Sequence, residues 1–314
     1  MKSKLREIIK KKFALSDAEV AILISRAPVS YKSYKIKKKN GGHRKIHQPA
    51  REIKALQRWI LDAVFSKLKV HPSSTAYEPG SSIKENAKRH LDNSYFIKLD
   101  FKDFFHSIKS EDIIQFLTDK GIKLNNRDLS DLVRILCIKD GESLCLSIGA
   151  PSSPKVSNVI LYDFDEAVTN WCSENEVTYT RYADDLTFST KRKGIGHLIE
   201  KQVLEIISEI QYPKIELNLS KRVSVSKKDW VSITGLTITT QNSISVGRKR
   251  KRFVKSLIYK HLSDGLQEKK LGELNGLISF IENIEPGFKD KMLEKYGDVP
   301  GLNLKKAKDE VSDL

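Results

Sequence analysis

Three aspartates are the residues in this sequence best suited to metal-dependent chemistry. Asp100 ends one apolar segment, and the adjacent pair Asp184 and Asp185 lies between two others. Neighbouring carboxylates on such a turn repel each other and lose solvation unless a cation neutralises them. Carboxylate oxygens without histidine or cysteine favour Mg²⁺. Two such ions, about 3.5–4 Å apart, can activate a sugar hydroxyl and stabilise a departing pyrophosphate. An isolated Asp-Asp pair is more often part of a solvated turn than of a metal site. The segments around the pair must decide between these two interpretations.

Strand-like segments surround all three aspartates. Residues 95–99 are rich in β-forming side chains and lead into Asp100, while residues 177–181 and 186–189 flank Tyr182-Ala183-Asp184-Asp185. This pattern is typical of a hairpin with two carboxylates at its turn. If the three strands are neighbours in one sheet, Asp100 and Asp184 converge with Asp185 beside them.

The remaining pattern mixes helices and short strands. Ser16 and Glu19 predict a capped helix through Ile24, and Asn40-Gly41-Gly42 predicts the turn of a cationic hairpin over residues 34–46. Apolar spacing predicts helices at 51–69, 111–119, 128–137, 156–172, 195–210 and from 249 onward, and strands at 215–219, 231–239 and 244–246. The order indicates an α+β fold with a helical carboxy-terminal domain.

Positive charge is concentrated at two places in the chain. The net charge is +16, and residues 1–58 hold 17 Lys and Arg against 4 Asp and Glu, whereas residues 201–262 hold 13 against 4. The rest of the chain is therefore acidic on balance. This polarisation favours a protein that grips a polyanion and keeps carboxylates for metal, over a generally basic protein.

Other features exclude several classes. Cys137, Cys145 and Cys172 form no CxxC pair, so neither a zinc site nor a disulfide framework is expected. No apolar run reaches the length of a membrane span, and the amino terminus lacks the apolar stretch of a signal peptide. We therefore expect a cytoplasmic protein with no membrane partner.

The motifs around the aspartates resemble those of reverse transcriptases. Residues 181–187 (RYADDLT) look like the catalytic motif of that family, and residues 99–105 (LDFKDFF) resemble its first metal-binding motif. The resemblance implies that Asp100, Asp184, Asp185 and the backbone carbonyl of Phe101 bind two Mg²⁺ ions. It also implies a right-hand polymerase fold with fingers, an antiparallel palm and a helical thumb.

The same resemblance assigns nucleotide-binding residues. Tyr182 belongs to the catalytic motif, and Phe105 resembles the bulky gate under the incoming sugar, although ordinary core packing is its alternative. Gly149 lies in a loop similar to the one that supports the incoming base; the family's usual Pro-Gln is Ser147-Ile148 here, which removes an amide side chain. Lys38 and Arg44 resemble the finger residues that clamp the triphosphate, although a solvated face is the alternative for any one lysine there. Lys221 matches the lysine that can protonate or neutralise the pyrophosphate leaving group, and it is counted as catalytic.

Two short elements point to the retron branch of the family. Asn86 to His90 match an NAxxH element, and Ile233-Thr234-Gly235 resembles a VTG element with Ile in place of Val. The basic run Arg248, Lys249, Arg250, Lys251 and Arg252 falls where retron enzymes recognise RNA. On this resemblance Asn86, His90 and the basic run are candidate RNA-binding residues, although five consecutive cations on a helix cannot all face one ligand.

The resemblance implies an RNA-directed DNA polymerase that binds one structured non-coding RNA and uses dNTPs. It would prime from an internal guanosine 2′-hydroxyl and make a branched RNA–DNA molecule (msDNA), with an effector or toxin protein in anti-phage defence. A group II intron-like or diversity-generating enzyme is one alternative, and a catalytically idle RNA-binding scaffold or antitoxin is another. The predicted domains are an N-terminal helical extension (1–30), fingers (31–95 with part of 110–150), palm (96–240) and an RNA-binding thumb (241–314).

Overall fold

The amino-terminal elements follow the sequence prediction. The structure, a computed structural model, describes residues 3–37 and 41–304. Helix α1 (Lys4–Phe13) is followed by α2 (Asp17–Arg26), which opens with the predicted capping box between Ser16 and Glu19. The Ser16 amide donates to Glu19 Oε2 at 2.7 Å, so the first turn of α2 has its donors satisfied.

The cationic hairpin is confirmed as β1 (Tyr31–Lys37) and β2 (His43–Pro49). The strands are antiparallel, with Lys37 opposite His43 and Tyr31 opposite Pro49. Residues 38–40, which include Lys38 and the first residue of the predicted turn, Asn40, lie outside the described residues.

The helices of the middle of the chain surround a small sheet. They are α3 (Arg51–Ile60), extended by a π-turn over Leu61–Phe65, then α5 (Phe104–Ser107), α6 (Ser110–Asp119), α7 (Asn126–Leu136), α8 (Ser153–Ile160), α9 (Tyr162–Glu174) and α10 (Gly196–Glu209). A two-stranded hairpin, β4 (Ile138–Asp140) and β5 (Ser143–Cys145), precedes α8. The helical prediction over 156–172 is confirmed except at Leu161, where the chain leaves helical geometry and divides the segment into α8 and α9. Buried residues recur every four positions across that break, and leucine favours helix, so periodicity could not reveal it.

The sheet that carries the aspartates has four strands. They are β3 (Tyr95–Asp100), β6 (Val177–Tyr182), β7 (Asp185–Thr190) and β8 (Val223–Ser226), in the order β6–β7–β3–β8. Strands β6 and β7 form the predicted hairpin, with Tyr182 opposite Asp185. Apolar side chains from this sheet and from the surrounding helices share one core, which includes Leu99, Phe101, Phe164, Leu186 and Phe188.

The strand predicted at residues 215–219 was wrong. Only an isolated bridge joins Leu217 to Phe101, and a 3₁₀ turn follows at Leu219–Lys221. The ladder cannot continue there because β3 ends at Asp100 and the chain turns at Asp103, whose φ is +45°, into α5. The strand forms four residues later, as β8.

A second set of elements contains α4 (Ile83–Lys88), β9 (Val231–Ile233), β10 (Leu236–Ile238), β11 (Ile244–Ser245), α11 (Arg248–Asp264), α12 (Glu268–Ile284) and α13 (Phe288–Tyr296). The three strands are antiparallel in the order β11–β10–β9. The single strand predicted over 231–239 is a hairpin, because Thr234 (φ +47°) and Gly235 (φ +81°) reverse the chain. The predicted carboxy-terminal helices are confirmed.

The chain forms two compact units. The first comprises the chain up to Ser81 together with Phe96–Ser224, and the second comprises Ser82–Tyr95 and the chain from Val225 onward. The antiparallel sheets and packed helices confirm the α+β class. The predicted domain borders at residues 30, 95 and 240 stay predictions.

Candidate active site

The three aspartates lie at one end of the four-stranded sheet. Asp100 is the last residue of β3, Asp184 lies in the turn between β6 and β7, and Asp185 is the first residue of β7. The Phe101 amide donates to the Asp184 carbonyl at 3.1 Å, which joins the end of β3 to the turn. The amide of Asn218 donates to the Asp100 carbonyl at 2.7 Å. The sheet thus brings together residues separated by more than 80 positions, as the sequence predicted.

The carboxylates destabilise each other's charged forms. Burial and the charge of Asp100 raise the pKa of Asp184. Burial and the charge of Asp184 raise the pKa of Asp185 to about 6, and a hydrogen bond shared with Asp100 acts in the same direction. Asp184 and Asp185 are half-buried, have raised pKa values and lie beside the carboxylate of Asp100. A bound cation would stabilise the charged forms of all three, which distinguishes this turn from a solvated Asp-Asp pair.

Lys221 also belongs to the site. It ends the 3₁₀ turn after Asn218, and its Nζ lies 2.7 Å from Asp100 Oδ1. The hydrogen bond that Lys221 donates to Asp100 raises the pKa of this lysine, so the ammonium form persists at neutral pH. The predicted catalytic lysine therefore contacts the aspartates, and its positive charge partly neutralises their negative charge.

The donor chemistry fits a hard divalent cation, although the ligands are not preassembled around a point. Within residues 3–37 and 41–304, no three His, Cys, Asp or Glu side chains lie in a metal-binding arrangement. The oxygens that could hold such an ion are the carboxylates of Asp100, Asp184 and Asp185, and the backbone carbonyl of Phe101 stays a predicted fourth donor. Small side-chain rotations on fixed strands would have to complete the set.

The candidate nucleotide-binding residues lie in the same unit. Arg44 is exposed on β2, and its charge acts on Asp184. Phe105 is half-buried in α5, and its ring centroid lies 5.1 Å from that of Phe104. Its ring therefore packs against the core and is also partly exposed to solvent. Tyr182 is half-buried, at 6.3 Å between ring centroids from the exposed Tyr77, a neighbour that the sequence reading missed. The signal for Tyr77 was an aromatic residue just before Pro79-Gly80, outside any predicted element.

Gly149 is required by a close approach of the backbone. Its φ is +111°, and a Cβ there would lie 2.9 Å from the His47 carbonyl oxygen and from Ile46 Cγ2. The adjacent Ile148 carbonyl accepts a 2.8 Å hydrogen bond from the His47 amide. The loop that was expected to support the incoming base is thus bound to β2 by a backbone hydrogen bond. The acceptor is the main-chain carbonyl of Ile148, so this contact does not need the amide side chain that Ile148 lacks.

The candidate RNA-binding residues all lie in the second unit, but they differ in exposure. Asn86 and His90 are fully buried. Both polar atoms of the Asn86 side chain are without a hydrogen-bond partner. In this conformation neither residue offers a surface to RNA, and their role as RNA ligands stays a prediction. The turn at Thr234-Gly235 contacts α4, the helix that contains Asn86, because Thr234 Oγ1 donates to the Ile83 carbonyl at 3.5 Å.

The basic run divides between two environments. Arg250 lies over the Phe280 ring, 5.1 Å from its centroid, and Lys249 is exposed elsewhere on α11. The other three line a groove of 760 Å³ between α4, α11 and α13. Its walls carry eight cations and one carboxylate, Glu285; the cations are Lys84, Lys88, Arg248, Lys251, Arg252, Lys255, Lys291 and Lys295. Lys251 forms an ion pair with Glu285 at 2.9 Å, and Lys88 forms one with Glu85 at 2.7 Å, so the walls of the groove keep a large excess of positive charge.

No helix in the described part of the chain is long and apolar enough to cross a membrane. Cys137, Cys145 and Cys172 are buried free thiols.

Comparison with known proteins identifies the family. Residues 36–238 match the family model described as reverse transcriptase (RNA-dependent DNA polymerase). The retron Ec83 reverse transcriptase of Escherichia coli is 37% identical, over 91% of this chain and 93% of its own length. The retron Ec73 reverse transcriptase of Escherichia coli is 33% identical, over 87% of this chain and 89% of its own. A solved foamy viral protease-reverse transcriptase covers 85% of this chain and 38% of its own, at 16% identity and a TM-score of 0.49.

Proposed function

The chain belongs to the retron reverse transcriptases, which are RNA-directed DNA polymerases, and from this we propose that it copies one cognate structured RNA into branched DNA. The observation that carries the proposal is the convergence of Asp100, Asp184 and Asp185 beside Lys221 at the end of one sheet. In the proposed reaction a guanosine 2′-hydroxyl within the RNA is the first nucleophile, and dNTPs are the substrates. We place this activity in the cytoplasm.

Each residue of the site has a distinct proposed task. The three carboxylates would hold two Mg²⁺ ions, which lower the pKa of the attacking hydroxyl and neutralise charge on the phosphates. Lys221, kept protonated by its contact with Asp100, donates a proton to the departing pyrophosphate. Arg44 binds the triphosphate, with Lys38 from the same hairpin. Phe105 and Tyr182 form the floor under the sugar, and Phe105 excludes a 2′-hydroxyl.

The basic groove of the second unit is the proposed binding surface for RNA phosphates. Eight cations in one concave surface, of which Lys251 and Lys88 have carboxylate partners, suit a polyanion better than a small ligand. Arg248, Lys251 and Arg252 would contact phosphate, whereas Lys249 and Arg250 would not. Buried Asn86 and the turn at Thr234 support the wall formed by α4.

Sequencing of co-purified nucleic acid tests the proposed function. The protein is expressed from its own locus, purified, and its bound nucleic acid is sequenced after removal of protein. A branched RNA–DNA species joined through a guanosine 2′-oxygen supports the proposal. Unbranched RNA, together with no dNTP incorporation in Mg²⁺, would show an RNA-binding scaffold instead.

A charge-matched pair of variants tests the groove. Arg248→Gln, Lys251→Gln and Arg252→Gln in one protein should weaken RNA binding and lower the slope of log Kd against log salt by about two. The control carries Lys249→Gln, Lys269→Gln and Lys270→Gln, which remove the same charge from exposed sites outside the groove. Equal slopes in the two proteins would refute the groove as the RNA site.

The biological role has its own test. We propose that the RNA–DNA product and the enzyme act with an effector protein in anti-phage defence. Phage plating on cells that carry the whole locus should rise to the level of empty cells when Asp184→Asn is introduced. Unchanged protection with the variant would show that DNA synthesis is not needed for defence.

A further inference from the structure

Arg181, the residue just before Tyr182, is a fully buried arginine near the end of β6. Its guanidinium is held by Asp165, with Nε 2.9 Å from Oδ1 and Nη2 2.5 Å from Oδ2. The remaining nitrogen, Nη1, donates to Asn158 Oδ1 and to the Ala183 carbonyl, both at 3.2 Å. All three nitrogens therefore have partners, and one of them is the backbone of the catalytic turn.

The partners of Arg181 are anchored in two helices beneath the sheet. Asp165 lies on α9 and also accepts a 2.8 Å hydrogen bond from the Tyr179 hydroxyl. Asn158 lies on α8, where its Nδ2 donates to the Ala76 carbonyl at 2.8 Å and its Oδ1 accepts from Ser74 Oγ at 3.0 Å. We call Arg181, Asp165, Asn158 and Tyr179 the Arg181 network. It links the turn to the two helices and to the segment at Ser74–Ala76.

A purely structural role does not account for this arrangement. Burying an ion pair costs several kcal/mol per ion, and apolar side chains of similar volume often stabilise a core equally well. What an apolar side chain cannot do is hold a carbonyl of the turn in place. That carbonyl belongs to Ala183, whose φ is +58°, a left-handed conformation that costs an alanine about 1–2 kcal/mol. The turn therefore needs an external contact to keep Asp184 and Asp185 in their positions.

We propose that the Arg181 network is a positioning device that fixes the strained Ala183 carbonyl and so aims Asp184 and Asp185 at the metal site. Arg181 touches no reacting atom and acts through the turn. The proposal rests on the proposed role of the two aspartates as metal ligands.

Arg181→Lys is the central variant. A lysine keeps the charge beside Asp165, but its single nitrogen cannot bridge Asp165 and the Ala183 carbonyl as the planar fork does. Residues that orient metal ligands typically change metal affinity or activity by about 10–100-fold when removed. We expect the Kd of the RNA-free full-length protein for Mn²⁺, measured from the free-ion paramagnetic resonance signal, to rise at least about tenfold. The kcat for dNTP incorporation should fall by a similar factor, with the Kd for RNA unchanged.

Three further variants make the test decisive. Arg192→Lys replaces an exposed arginine at the opposite end of the same hairpin, where it donates to the Asn175 carbonyl, and should leave metal affinity and kcat unchanged. Tyr179→Phe removes only the hydroxyl bond to Asp165 and keeps the ring stacked on Phe188. It should shift both quantities severalfold in the same direction, and it replaces Arg181→Lys if that protein does not fold. Asp184→Asn reports on the site itself.

The outcomes distinguish a failure of the proposed metal site from a failure of the positioning role of the Arg181 network. If Asp184→Asn leaves Mn²⁺ binding intact, the proposed metal site is wrong. If Asp184→Asn abolishes it but Arg181→Lys and Tyr179→Phe change only the melting temperature, the Arg181 network is core packing and the positioning proposal is refuted. Weaker Mn²⁺ binding and lower kcat at a temperature where both variants are folded would support it.

Discussion

Replacing Gly149 by alanine perturbs the contact between its loop and strand β2. The new Cβ would lie 2.9 Å from the His47 carbonyl oxygen, a distance at which the backbone must shift. The positive φ costs about 1–2 kcal/mol for an L-residue, and forced overpacking adds about 1–3 kcal/mol. The hydrogen bond from the His47 amide to the Ile148 carbonyl contributes about 0.5–1.5 kcal/mol more if the loop moves away.

Gly141→Ala provides the matched control. Gly141 also has a positive φ, +59°, but a Cβ there would meet nothing within 4 Å. It should therefore show only the conformational cost, about 1–2 kcal/mol. Because Gly149 borders the proposed nucleotide site and Gly141 lies at the tip of the β4–β5 hairpin, Gly149→Ala alone should raise the KM for dNTPs.

The assay pairs urea denaturation, followed by circular dichroism, with steady-state dNTP incorporation on a primed RNA template. We expect Gly149→Ala to lose about 1–3 kcal/mol more than Gly141→Ala and to bind dNTPs more weakly. Equal free energies of unfolding and equal KM values for the two variants would refute the argument from close backbone approach.

Three further outcomes are expected. Lys221→Ala should lower kcat by about 10²-fold or more with little change in RNA affinity, measured by single-turnover incorporation; an unaltered kcat would remove the lysine from the mechanism. Burial lowers the pKa of His90 to about 3. The folded protein thus binds fewer protons than the unfolded chain between that value and about 6.5, so stability is full above pH 6.5 and falls by about 2 kcal/mol at pH 5. His90→Gln should flatten this dependence, whereas the same change at exposed His43 should not. Phe105→Val should raise incorporation of ribonucleotides relative to deoxynucleotides, and an unchanged ratio would make Phe105 a core residue only.

The catalytic turn could be predicted from sequence because its determinants are local. Two apolar strands separated by Tyr182-Ala183-Asp184-Asp185 define the hairpin by themselves, and a third strand ending on Asp100 has few places to pair. The capped helix at Ser16 and the cationic hairpin were equally local. Periodicity failed at Leu161, where the geometry changed without a change in residue character. At Thr234 the signal was present in the following Gly235, but the apolar pattern of residues 231–239 continued across it.

The features that depend on distant partners were out of reach. Asp165 appears in the sequence as one acid on an amphipathic helix, and nothing near it shows that Arg181 is its partner. The segment Ser82–Tyr95 leads into β3 in the chain but belongs to the compact unit formed by the elements from Val225 onward. The match at Asn86 and His90 identified a sequence motif, but a motif does not show whether its side chains are exposed. It therefore could not show that both side chains are buried.

The central claim is that Asp184 and Asp185, with Asp100, form the metal site of an RNA-directed DNA polymerase. Its most direct test compares Asp184→Asn with Asp185→Asn in one protein against a control in which exposed Asp140 and Asp264 are changed to Asn. We predict that the first protein loses Mg²⁺-dependent dNTP incorporation and binds the RNA with unchanged affinity, while the control retains both. Residual incorporation at the control's rate in the Asp184/Asp185 variant would contradict the account.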